Sequence, residues 1–74
     1  MTPLDIGGRL RKLRKEKHMS LSVLAEKSGV STGLISQIER GLVAPSVVSL
    51  YHIAQALETD ISFFFTTTTP HYAV

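Results

Sequence analysis

Gly29 stands between two short stretches of helical periodicity and constrains this chain more than any other residue. Upstream of it, Leu21, Leu24 and Ala25 fall at i, i+3, i+4, with Ser20 or Ser22 able to cap the start; downstream, Ile35 and Ile38 repeat after Ser31 as a cap. A chain that bends this sharply needs a position that tolerates positive φ, and the small Ala25 lets the second helix approach the first closely. The second stretch stops at Arg40-Gly41, with glycine just past the last turn. Two short helices joined by a tight turn follow from these residues.

The flanking segments read as helices too. Ile6, Leu10 and Leu13 repeat at i, i+4, i+7 in a first helix over 5–17. Pro45-Ser46 opens a fourth, in which Leu50, Ile53, Ala54 and Leu57 form a buried face and which ends near Leu57. Asp60 can cap a short fifth helix with Ile61, Phe64 and Phe65 on one side. The closing TTTTPHYAV is β-branched, proline-containing and uncharged, a poor helix former. The expected fold class is therefore all-α with no strand, a single five-helix domain over 1–66 and a C-terminal tail over 67–74.

At 74 residues the chain lies near the lower limit for a self-sufficient core. It has no cysteine, so neither a disulfide nor a thiolate zinc site can hold it, and stability must come from helix packing or a partner. No apolar run approaches a membrane span and the N-terminus lacks the apolar stretch of a signal peptide, so a cytoplasmic location and no membrane partner are expected.

The formal net charge of +2 hides a polarised distribution. Six of the eight basic residues (Arg9, Arg11, Lys12, Arg14, Lys15, Lys17) fall within nine positions. Residues 1–41 carry +4 and residues 42–74 carry −2. A solvated helix face accounts for such a run, and so does a surface that meets phosphates.

Enzyme chemistry finds no foothold. His18, His52 and His71 have no metal-ligand spacing, the serines form no nucleophile elbow, and Gly7-Gly8-Arg9 lacks the strand and Lys-Ser/Thr of a phosphate loop. No catalysis, metal or other cofactor is expected.

The pattern LAxxSGVSxxxISxIERGxxxPS, with RLRxLRxEKxxS before it and LxxIAxAL after it, resembles the phage repressor and Cro-like family, also called XRE-type. The resemblance runs from about Ile6 to Phe65. It implies a compact five-helix repressor-like DNA-binding domain whose helices 2 and 3 form a helix-turn-helix, with the third helix in the major groove. With Ile35 and Ile38 turned inward, the outward face of that helix carries Thr32, Gly33, Ser36 and Gln37, which correspond to the family's base-reading positions. Gln37 can pair in bidentate fashion with adenine N6 and N7, and Thr32 offers a methyl and a hydroxyl. The resemblance also implies phosphate contacts from Ser20, Leu21 and Ser22 at the start of helix 2, from Arg40 and from Ser46, with Arg9, Lys12 and Lys15 as secondary candidates. Arg14 and Glu39 match a family ion pair that links helix 1 to the end of helix 3. Leu42 and Val43 depart from the family by being apolar where relatives place polar residues. Glu58 departs by standing where relatives often place Gly.

Of Phe63, Phe64 and Phe65, one short helix can bury two, so Phe63 or part of the run is expected at the surface as a dimer or partner interface; alternatively all three fill a small core. Together these readings imply sequence-specific binding of double-stranded DNA by a homodimeric transcriptional regulator, a repressor at a pseudo-palindromic operator with half-sites about 34–36 Å apart. The alternatives are an antitoxin, the DNA-binding module of a larger regulator with a fused effector domain, or a protein-interaction module that docks a protein partner on Phe63–Phe65.

Overall fold

The computed structural model describes residues 5–65. Among them are four α-helices, α1 (Ile6–Glu16), α2 (Leu21–Ser28), α3 (Thr32–Glu39) and α4 (Val47–Ala56), followed by a 3-10 helix (Ile61–Phe65), and no strand. The expected boundary at 66 and the tail over 67–74 lie outside the described residues.

Every α-helix starts in the same way. Asp5, Ser20, Ser31 and Ser46 are the N-caps, and their side-chain oxygens accept from the backbone N–H of Gly8, Val23, Leu34 and Ser49 at 2.9–3.1 Å. Each cap satisfies one of the N–H groups that a helix start leaves without a partner, a contribution of about 1 kcal/mol. Ser20, not Ser22, caps α2. Pro45 stands two residues before the first residue of α4, just ahead of its cap.

Three of the ends are also alike. After α1, α3 and α4 the next residue but one turns left-handed: His18 (φ 58), Gly41 (φ 75) and Glu58 (φ 57). In each the paired bonds of a Schellman motif close the helix, as in Met19 N–H to Arg14 O, Leu42 N–H to Gln37 O and Thr59 N–H to Ala54 O at 2.9–3.1 Å. Only one of the three has glycine.

The helices enclose Leu10, Leu24, Val30, Ile35, Ile38, Leu50, Ile53, Ala54, Leu57 and Phe64. Each α-helix contributes through residues its periodicity assigned inward, except that Ile6 and Leu13 of α1 and Leu21 and Ala25 of α2 are half-buried, while Gly7, Arg14 and Ser28 are buried. α2 packs on α3 and α4, and α1 packs on α3 and the 3-10 helix.

The expected fifth α-helix is a 3-10 turn instead. Phe63 N–H donates to Asp60 O at 3.0 Å and Ser62 N–H to Asp60 Oδ1 at 2.9 Å, so Asp60 does cap it. With three residues per turn rather than 3.6, Ile61 and Phe64 share a side and Phe65 rotates away from it. Phe64 is fully buried, Phe63 is half-buried against the core with its ring edge-on to Phe64, and Phe65 is 44 % exposed. The surface phenylalanine is therefore Phe65, and neither Phe63 nor the whole run forms an exposed patch.

Candidate nucleic-acid interface

The site begins at the turn between α2 and α3. Gly29 takes φ 77 and its N–H donates to Ala25 O at 2.9 Å, which ends α2 in a conformation that costs a residue with a Cβ about 1–2 kcal/mol. Ser28 is buried and its Oγ accepts from Val30 N–H at 3.1 Å, so the turn carries its own internal bond. Val30 then points into the core and Ser31 caps α3. The local signal for this role of Ser28 is a serine immediately before the turn glycine.

α3 is locked from behind and open in front. Ile35 and Ile38 are buried, while Thr32, Gly33 and Gln37 are exposed and Ser36 is half-buried. Gly33, Gln37 and Arg40 follow at i, i+4, i+7 and so share one face, with Thr32 and Ser36 beside it. A side chain at Gly33 would meet open space. The face is small, polar and uncharged up to Arg40, which caps the helix end, is exposed and makes no ion pair among the described residues.

Further polar groups stand at the starts of α2 and α4. At the start of α2, Leu21 and Ser22 lie in the first turn, where backbone N–H groups have no partner within the helix, although the Leu21 side chain itself is half-buried in the core. Ser20 and Ser46 are exposed, and each uses a side-chain lone pair on its own helix, which leaves the hydroxyl proton for an outside acceptor. Arg9, a secondary phosphate candidate, is directed inward: its Nη1 donates to Phe63 O at 3.3 Å and ties α1 to the 3-10 helix. Lys12 and Lys15 are exposed on α1.

Arg14 and Glu39 meet as anticipated. Arg14 Nε and Nη2 donate to the two oxygens of Glu39 at 2.7 and 3.0 Å, and Nη1 donates to Met19 O at 2.9 Å. The hydrogen bonds and charge of Glu39 raise the Arg14 pKa above its ordinary value, against the opposing effect of burial. Beyond α3 the surface is apolar: Leu42, Val43, Val47, Val48 and Tyr51 are all exposed, a set that the periodicity of α4 did not single out. Among the described residues no cluster of His, Asp or Glu could hold a metal ion, and no helix is long and apolar enough to cross a membrane.

This arrangement has close counterparts. The profile of the helix-turn-helix family HTH_3 matches residues 10–64. The chain is 44 % identical over 59 residues to the uncharacterized HTH-type transcriptional regulator Rv0474 of Mycobacterium tuberculosis, a match that covers 80 % of this chain and 42 % of that protein. It is 44 % identical over 57 residues to the HTH-type transcriptional regulator SinR of Bacillus subtilis, covering 76 % of this chain and 51 % of SinR. The crystal structure of SinR, the master regulator for biofilm formation, in complex with DNA superposes with a TM-score of 0.79 at 40 % identity, over 82 % of this chain and 98 % of that one. The restriction-modification controller protein C.AhdI from Aeromonas hydrophila superposes with a TM-score of 0.80 at 34 % identity, over 84 % and 94 % of the two chains. The chain thus spans about half or less of the length of the two regulators Rv0474 and SinR and nearly all of the two solved chains.

Proposed function

Since the chain belongs to the HTH_3 family of helix-turn-helix domains, we propose that it binds double-stranded DNA sequence-specifically and regulates transcription as a repressor in the cytoplasm, without catalysis or cofactor. The observation that carries this reading is α3 itself: Ile35 and Ile38 fix its back while Thr32, Gly33 and Gln37 stand exposed in front. Gln37 reads adenine through its amide, Thr32 contacts a thymine methyl, Ser36 adapts through its hydroxyl, and the backbone at Gly33 allows close approach. The amides of Leu21 and Ser22, the hydroxyls of Ser20 and Ser46 and the Arg40 guanidinium hold phosphates.

So few reading groups, at about 1–3 kcal/mol each, discriminate too weakly against a genome, so the active species is a homodimer on two inverted half-sites. The exposed apolar set Leu42, Val47, Val48 and Tyr51 supplies its contact better than the phenylalanine run, of which only Phe65 is exposed. A two-fold interface sets a patch against itself, and no charged residue stands between Gly41 and Leu57 to repel its own copy.

Selection of binding sites from a random duplex library tests the proposal. Two inverted half-sites about one turn apart support both DNA reading and dimerisation. A single enriched half-site overturns the dimer. No enrichment at physiological salt overturns DNA reading, and the same exposed apolar set then favours docking of a partner protein, whose affinity responds little to salt.

A further inference from the structure

Gly7 lies buried in the first turn of α1, directly against the last turn of α3. A Cβ at this position would fall 2.9 Å from the Glu39 carbonyl oxygen, 3.1 Å from its carbon and closer still to the Ile38 carbonyl oxygen. All these obstacles are backbone atoms. They are also fixed, because Ile38 O accepts from Gly41 N–H at 3.0 Å and the neighbouring Gln37 O accepts from Leu42 N–H at 2.9 Å. No side-chain rotation can make room, so α1 and α3 would have to separate by on the order of 1 Å to restore ordinary contact.

Two other glycines behave differently. At Gly8 the nearest obstacle is the Asp5 carboxylate, which can swing away, and at Gly33 there is none. Gly7 also sits on the same stripe as Leu10 and Arg14, the other buried residues of α1, at i, i+3, i+7. One end of that stripe touches the Glu39 backbone and the other holds the Glu39 carboxylate. The last turn of α3 is therefore held at two points, and Gln37 is part of that turn.

We infer that Gly7 is a positioning residue: its missing side chain sets the distance between α1 and α3 and thereby the pose in which Gln37 meets a base edge. Polar readout demands placement within about 0.5 Å, so a displacement of this size spoils base contacts while leaving phosphate contacts, which tolerate more, in place. The inference rests on the DNA-reading function proposed above.

The test compares wild type and Gly7→Ala on the duplex selected by the wild-type protein and on a random-sequence duplex at one salt concentration, with the folded fraction measured by circular dichroism. Gly7→Ala is expected to lose at least tenfold in the ratio of selected to random binding, with random binding changed less than twofold after correction for the folded fraction. A merely structural role would lower both affinities together and leave the ratio intact, which overturns the inference. Should Gly7→Ala unfold in buffer, the comparison is repeated with wild type in trimethylamine N-oxide, which favours the compact state; a chain that stays unfolded there shows that the contact decides folding rather than pose, and also overturns it. If wild type itself prefers no sequence, the DNA-reading function has failed and the inference that rests on it falls with it, an outcome distinct from a wild type that discriminates while Gly7→Ala keeps its ratio.

Discussion

Arg14 and Glu39, 25 residues apart in the chain, form a two-pronged ion pair that joins α1 to the last turn of α3. Their side chains are only 10 % and 6 % exposed, and the remaining guanidinium nitrogen is occupied by Met19 O. The pair thereby reaches three segments at once: the last turn of α1, the loop into α2 and the end of α3. Such a pair holds geometry more than it adds net stability, since burying two charges offsets much of their attraction.

Removing one partner should cost far more than removing both. Glu39→Ala leaves the Arg14 guanidinium nearly buried and unpaired, and is expected to lose about 3 kcal/mol in urea unfolding. The double change Arg14→Met with Glu39→Leu should be more stable than Glu39→Ala. A Glu39→Ala protein with wild-type stability would show that the bridge carries no structural weight.

Glu58 occupies a left-handed position that favours glycine, with φ 57. Glu58→Gly should raise stability by about 0.5–1 kcal/mol, or a few degrees in the melting temperature of a domain this small. Gly41→Ala, at φ 75 in the matching motif after α3, should move the melting temperature the other way. Thermal unfolding of the two variants beside wild type checks both signs.

Asp60 is held below the ordinary carboxylate range by the Ser62 backbone N–H and, next, by the Ser62 side chain. Its folded pKa is depressed, so its contribution is present above the unfolded value of about 3.9 and is lost as pH falls through the folded one. Asp60→Asn should flatten the acid side of the stability profile in that window and leave the neutral region nearly parallel to wild type. Carboxyl-carbon NMR titration should place Asp60 below an unperturbed Asp. Arg14 works in the opposite sense: its pKa is raised, so its contribution is complete at every ordinary pH and lost only in strong alkali.

Gln37 and Arg40 share a face of α3 but should fail differently. Gln37→Ala is expected to relax preference at one base pair by about 1–3 kcal/mol, with little change in salt dependence. Arg40→Ala should weaken all sequences alike and reduce the slope of log affinity against log salt by about 1. Binding titrations across a salt series on the selected site and its single-base variants separate the two.

Much of the candidate site could be read from the residues. The inward turn of Ile35 and Ile38, the cap at Ser31 and the left-handed Gly29 are set by interactions reaching no more than four positions along the chain, so periodicity and residue type revealed them. The Arg14–Glu39 bridge came from family resemblance, because nothing local links residues so far apart. Part of the phenylalanine run does lie at the surface, but it is Phe65 and not Phe63, because the segment winds with three residues per turn rather than with helical periodicity.

By itself the sequence determined where helices start and stop and which face of each is apolar, since caps, glycines and spacing act through neighbouring backbone groups. It also determined that α3 offers a small polar face that ends in a cation. Only the tertiary structure decided that Gly7 lies on the carbonyls of α3, that Arg9 reaches Phe63 O across 54 positions, and that Val47, Val48 and Tyr51 are left bare on α4. These depend on how whole helices seat against one another, and side-chain shape and backbone approach over the entire core set that seating, not any residue's near neighbours.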